Sequence, residues 1–354
     1  MTTSVSSEQA SSEDLAYQAR ALQGVSRTFA LTIPQLPPGL RAVVANAYLL
    51  CRIADTIEDA PSLDVAQKRG FAERFIAVVG AGEPADAFAA ALHPRLDAAM
   101  SPAERELVAE CARVIRVTRG FTPRQQRALE RCVRVMSRGM AEFQQAASLG
   151  GLADQGEMDR YCYHVAGVVG EMLTELFCDY SPDIEANGSG LRKLAVSFGQ
   201  GLQMTNILKD MWEDRARGAC WLPRDLFERV GLDLEHLAPG RDARLVEALD
   251  ELVGIARGHL ANALSYTLLI PRDERGIRCF CLWAIGMAVL TLRRIHRNPG
   301  FRSGREVKIS RRSVRLTVAV TRLTVRHDAV LRTLFDALTR GLPGVEVRPR
   351  ALTI

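Results

Sequence analysis

Strand-like alternation of apolar and polar residues between glycine or asparagine turns is almost absent from this sequence, which excludes a sandwich or barrel and leaves helices as the building material. No G-x-G-x-x-G turn occurs, so any dinucleotide site must be of a non-Rossmann kind. The eight cysteines (Cys51, Cys111, Cys132, Cys162, Cys178, Cys220, Cys279 and Cys281) make no C-x-x-C pair and no zinc-like Cys/His spacing. They lie in apolar helical stretches and read as reduced core residues of a cytoplasmic protein. Aromatic residues are only 6% of the chain, and none alternate with the C-terminal arginines in the manner of a base-stacking platform, so nucleic acid is not an expected partner. The longest apolar run, Cys279–Leu292, is bounded by Arg278 and Arg293; it falls short of the roughly 20 residues that cross a bilayer and reads as a buried helix. The start, MTTSVSSEQASSED, has neither the positive charge nor the apolar stretch of a signal peptide and reads as a disordered polar tail.

What is present is helical. Hydrophobic residues make up 47% and charged residues 25% of the 354 residues, the balance of a soluble globular chain with ample material for a core. Apolar positions recur at helical spacing nearly throughout, and proline and glycine clusters cut the chain into helices of about 12 to 25 residues. No linker or solenoid repeat interrupts them. The economical division is a disordered tail over 1–19, one helical domain over 20–340 and a C-terminal tail over 341–354. Net charge is +5, but Arg293, Arg294, Arg297, Arg302, Arg305, Lys308, Arg311, Arg312, Arg315, Arg322 and Arg326 crowd the last quarter. That basic end suits a solvated surface, anionic lipid headgroups or a phosphorylated cofactor. Within it, Ser313–Leu338 has the pattern of one final amphipathic basic helix.

Two acidic clusters carry the chemistry. In AYLLCRIADTIEDAP, Tyr48, Arg52, Asp55 and Asp59 fall on one narrow helix arc, with Glu58 beside them. In the second cluster Gln203, Asn206, Asp210, Glu213 and Asp214 share an arc of roughly 100°, and Lys209 precedes the first aspartate. A lone D-x-x-x-D is more often a solvated face. Here D-x-x-E-D recurs with identical spacing, each copy inside an apolar helix. Like charges one turn apart repel, so the clusters call for a cation; Mg2+, which shares a few carboxylates with substrate phosphates, is the natural one. A di-iron bundle would want Glu-x-x-His pairs, and these positions have none.

Together with Ser26-Arg27-Thr-Phe29, Tyr161-Cys-Tyr-His-Val-Ala-Gly167-Val-Val-Gly170, Trp221-Leu-Pro223 and Val307-Lys308-Ile309, these clusters make the chain resemble the squalene/phytoene synthase family over residues 26–309, closer to its squalene synthases. The resemblance implies an all-α isoprenoid synthase fold, a single helical domain around a central apolar cavity between the two acidic helices. It implies a Mg2+-dependent prenyltransferase that joins two farnesyl diphosphates head to head through presqualene diphosphate, ending as squalene with NADPH. A non-reductive dehydrosqualene- or phytoene-type synthase, or a hydroxysqualene-forming one, is the alternative. A catalytically silent isoprenoid-binding assembly factor would be expected to have lost the carboxylates that both clusters keep.

By the same resemblance, Asp55, Asp59, Asp210 and Asp214 match the metal carboxylates, with Glu58, Asn206 and Glu213 in support. Arg52 matches a diphosphate-binding arginine, and Tyr161 a residue of the cation and proton steps. Ser26, Arg27 and Phe29 match a flap over substrate, while Gln203, Asn206, Lys209 and Arg217 would border it. Ser26, Lys308, Arg311 and Arg312 would contact NADPH. Gly167 and Gly170 either allow close helix packing or border substrate. Two departures stand out: Lys209 replaces a usual arginine and loses its bidentate geometry, and Ala219 stands where an arginine often contacts diphosphate, with Arg217 nearby as a substitute. Unlike eukaryotic squalene synthases, the chain is expected to have no C-terminal span and to touch the inner face of a membrane only peripherally, through its basic C-terminal region.

Overall fold

The computed structural model describes residues 11–26 and 28–349, which fall into two compact units divided between Gln144 and Gln145. Among the described residues there is no strand, only an isolated bridge between Leu152 and Pro223. The expected all-α class holds.

The first unit begins with α1, Ser12–Val25. Ser11 caps it in a reciprocal box with Asp14, each side chain taking the other's backbone N–H, which satisfies donors the first turn would leave orphaned. Residues 12–19 are therefore helical, which corrects the expected disordered tail there; residues 1–10 lie outside the described residues. Asp14 also accepts two bonds from Arg116 at 2.8 and 3.0 Å, so α1 is fixed at its very start. Next come α2 (Pro38–Asp59), α3 (Val65–Val79), α4 (Ala85–Leu92), α5 (Pro102–Ala109), α6 (Cys111–Arg119) and α7 (Pro123–Ala146). Pro38, Pro102 and Pro123 each open a helix, where a missing N–H costs nothing. Buried Asn46 on α2 donates to Gln18 and to the Val114 carbonyl and accepts from Thr118, joining α1, α2 and α6 through a satisfied polar network.

In the second unit, α8 (Gln155–Cys162) runs through a π-helical turn, Tyr163–Gly167, into α9 (Val168–Tyr180). Then follow α10 (Gly188–Ala216), α11 (Arg224–Arg229), α12 (Ala243–Leu269), α13 (Arg275–Arg297), α14 (Gly304–Val307), α15 (Arg311–Thr324) and α16 (Asp328–Thr339). At 29 residues α10 exceeds the expected length. It reaches its neighbours at glycines: a Cβ on Gly170 would sit 2.2 Å from the Ala195 carbonyl oxygen, and one on Gly199 would sit 2.1 Å from that of Ala166. Gly170 thus serves close packing, and a Cβ on Gly167 would press on the Tyr163 and Val196 side chains at 3.1 and 3.2 Å. On α12, His259 is buried and bonded to Ser197 Oγ at 2.8 Å; burial lowers its pKa to about 4, so the ring is neutral.

Two expectations change. The single basic helix over Ser313–Leu338 is two, because buried Arg278 donates to the Val325 carbonyl at 2.8 Å and pairs with Asp328, which diverts the backbone acceptor a continuous helix would use. The apolar run Cys279–Leu292 extends into the 23-residue α13, which is long and apolar enough by length and composition to cross a membrane. Of its most apolar window, 67% is buried within the protein, as a core helix would be. The last described residues are not loose: Arg257 donates to the carbonyls of Leu342 and Pro343, and Asn262 to that of Val347, holding them along α12. All eight cysteines are free and buried.

Candidate active site

Both acidic clusters lie in the last two turns of long helices. Asp59 is the final residue of α2, and Asp214 is in the last turn of α10. A helix C-terminus carries partial negative charge from its unpaired carbonyls, so carboxylates there are destabilised unless cations offset them.

On α2, Arg52 Nη1 lies 3.5 Å from Asp55 Oδ2, while its Nη2 pairs with Glu104 of α5. Glu104 was not singled out from the sequence. It lies 52 residues from Arg52, and nothing in its local pattern, SPAERELV, distinguishes it from a helix-start carboxylate. Burial raises the Asp55 pKa to about 7, against the lowering influence of Arg52 and with further raising by Asp59. Glu58 is raised to about 8 by burial. Its Oε1 accepts from Gln144 at 2.9 Å, and it lines a pocket with Lys68, Ser137 and Met140. Tyr48 donates to the Val25 carbonyl at 3.1 Å and its ring lies 5.0 Å from that of Phe29. Ser26 Oγ accepts from the Phe29 N–H at 2.9 Å. Ser26 and Phe29 therefore adjoin Tyr48 at the start of the acidic face; Arg27 lies outside the described residues.

On α10, Lys209 Nζ is 2.8 Å from Asp210 Oδ2, and Arg217 pairs with Asp214. Gln203 is partly buried and Asn206 is exposed. Glu213 Oε1 accepts the Gly304 N–H at 2.9 Å. Gly304 lies so close to the cluster that a Cβ there would sit 2.8 Å from Asp210 Oδ1. This glycine, also missed in the sequence, ties the segment bearing exposed Lys308, Arg311 and Arg312 to the acidic end of α10. Tyr161 is 5% exposed and stacks on Trp221 with centroids 4.3 Å apart. The Leu152–Leu222 and Arg224–Leu152 backbone bonds hold the Trp221 segment in place.

Among the described residues no three His, Cys, Asp or Glu side chains converge tightly enough to hold a metal by themselves. Mg2+ does not require that, since it keeps waters and takes phosphate oxygens beside one or two carboxylates. Two features fit such a cation: the half-buried Asp55 carboxyl, whose charged form is disfavoured without one, and the buried Glu213 Oε2, which has no hydrogen-bond partner. Arg52 Nε is likewise buried without a partner, a donor left for an anion.

The sequence profile of the family described as squalene/phytoene synthase matches residues 22–313. A squalene synthase of Cyberlindnera jadinii is 28% identical over 288 residues, which cover 77% of this chain and 60% of that protein. The chain thus spans about 60% of the length of such curated relatives. Among solved structures, that of TcSQS in complex with a ligand superposes with a TM-score of 0.70 at 25% identity, covering 92% of this chain and 91% of that one. A dehydrosqualene synthase in complex with a ligand gives 0.65 at 20% identity, covering 89% and 97%.

Proposed function

The chain belongs to the squalene/phytoene synthase family and has the all-α isoprenoid synthase fold, and on that premise we propose that it condenses two farnesyl diphosphates head to head, through presqualene diphosphate, to squalene. The observation that carries the reading is the pair of D-x-x-E-D turns, each closing a long helix at the end where the backbone adds negative charge. Asp55, Asp59, Asp210 and Asp214 would hold Mg2+, with Asn206 and Glu213 beside the second pair. When bound, Mg2+ would neutralise the departing diphosphate and NADPH would supply hydride for the last step.

The chain's own residues do the rest. Arg52 and Lys209 offer N–H donors to phosphate oxygens, Arg52 in fork geometry and Lys209 as a point charge. Tyr161, held in place by its stack on Trp221, would serve the cation and proton steps. Exposed Lys308, Arg311 and Arg312 would bind the NADPH phosphates. Arg217, paired with Asp214, would stand in for the arginine absent at Ala219. The exposed arginines of α15, with Leu316 and Leu323 between them, would rest on an anionic membrane that receives the lipid product.

Incubating the protein with farnesyl diphosphate and Mg2+, with and without NADPH, tests the reading by the masses of the products. Squalene is expected with NADPH only, and Asp55→Asn or Asp210→Asn should lower turnover about 100-fold or more with helicity unchanged. Near-normal turnover in either variant would sink the metal assignment. Identical products with and without NADPH would remove the reductive step alone.

A further inference from the structure

Arg52 is the cation that the first acidic turn keeps for itself, yet its nearest partner belongs to another helix. Glu104 lies in the first turn of α5, behind the N-cap Ser101 and the opening Pro102. Leu107 and Val108, three and four residues on, are fully buried, so α5 is anchored on the face that carries Glu104. The Glu104 side chain is 17% exposed and that of Arg52 27%, well below a freely solvated surface pair. Arg52 is thus shared between Glu104 through Nη2 and Asp55 through Nη1, while its buried Nε stays unpartnered.

We propose that Glu104 is a positioning residue that serves as an internal stand-in for a diphosphate oxyanion: it holds the Arg52 fork at the first acidic turn and gives it up when a magnesium diphosphate docks. A diphosphate brings more charge than a carboxylate and several oxygens that match the fork, including its unpartnered Nε edge. With diphosphate gone, Glu104 recaptures Arg52, which favours release of the product anion. The proposal rests on the diphosphate reading of the site but needs neither farnesyl condensation nor reduction to be tested.

The probe is inorganic pyrophosphate with Mg2+, titrated calorimetrically into the full chain. Glu104→Gln keeps the side-chain shape and removes the competing charge, so Kd should fall about threefold to tenfold, with pyrophosphate inhibiting turnover correspondingly more strongly. The gain should vanish in an Arg52→Lys background, where the fork is lost. Should Glu104→Gln fail to fold, Glu104→Asp, which keeps the charge but shortens its reach, should give a smaller gain of the same sign. A side chain that merely braced α5 would weaken binding when altered; unchanged or weaker binding in a folded variant, or a gain that persists with Arg52→Lys, overturns the role. Absence of pyrophosphate binding by the unaltered protein overturns this role together with the diphosphate reading. Failure to form squalene, with the binding pattern intact, would count against the condensation alone.

Discussion

Asp14 is a carboxylate only 2% exposed, and the Arg116 guanidinium that grips it draws its pKa from 3.8 down to about 2. A carboxyl depressed in the folded state contributes stability that is complete above its unfolded pKa and is lost as pH falls through the folded one. The contribution of Asp14 should therefore disappear between about pH 4 and pH 2. Asp14→Asn should cost about 1 to 3 kcal/mol at neutral pH and flatten that part of the acid limb, as thermal unfolding across a pH series would reveal. An unaltered acid limb would mean that the ion pair adds nothing to folding. At this scale the aspartates of both clusters were legible, because their spacing and apolar surroundings are local. Glu104, Gly304 and the Trp221 partner of Tyr161 were not, because each meets its target across a long loop of chain.

Helix contacts turn on where side chains are missing. Gly170 and Gly199 each bring a backbone against a carbonyl oxygen, and an added methyl would overlap that oxygen by far more than a side chain can yield. Gly170→Ala or Gly199→Ala should cost about 1 to 3 kcal/mol through overpacking. Gly70, exposed within α3 with nothing within 4 Å of where a methyl would sit, is the contrast: Gly70→Ala should stabilise by about 0.5 to 1 kcal/mol. Urea midpoints would separate the two, and a mild Gly170 or Gly199 variant would contradict the packing account. The π-helical turn at Tyr163–Gly167 had no sequence signature beyond its glycine. Its extra residue per turn depends on the opposing α10 surface, as does the break that Arg278 makes between α15 and α16 on its own surroundings.

Over the whole molecule, the excess of positive charge is concentrated rather than spread. On α15, Leu316 is 64% and Leu323 81% exposed, seven residues apart on one side of the helix; Arg312 and Arg315 on the same helix and Arg326 just past it are also exposed. Apolar tips between arginines suit an anionic interface, each basic residue adding up to about 1 kcal/mol at low salt. The protein should sediment with phosphatidylserine vesicles at low ionic strength, less so with neutral ones, and release as salt rises. Leu323→Glu should weaken sedimentation severalfold. Equal binding to neutral vesicles, or none at low salt, would remove lipid as the occupant of this face; a concentration-dependent dimer lost in Leu323→Glu would assign it to a second copy.

By itself the sequence determined the all-helical class, the acidic turns and the uneven charge, since these follow from periodicity and from residues one helical turn apart. Tertiary structure decided which carboxylates lose water and which cations they share. The rise of Asp55 to about 7, the division of Arg52 between Asp55 and Glu104 and the close approach of Gly304 to Asp210 all depend on distance and burial between segments far apart in the chain. Desolvation and Coulomb energy act through space, and spacing along a helix does not encode them.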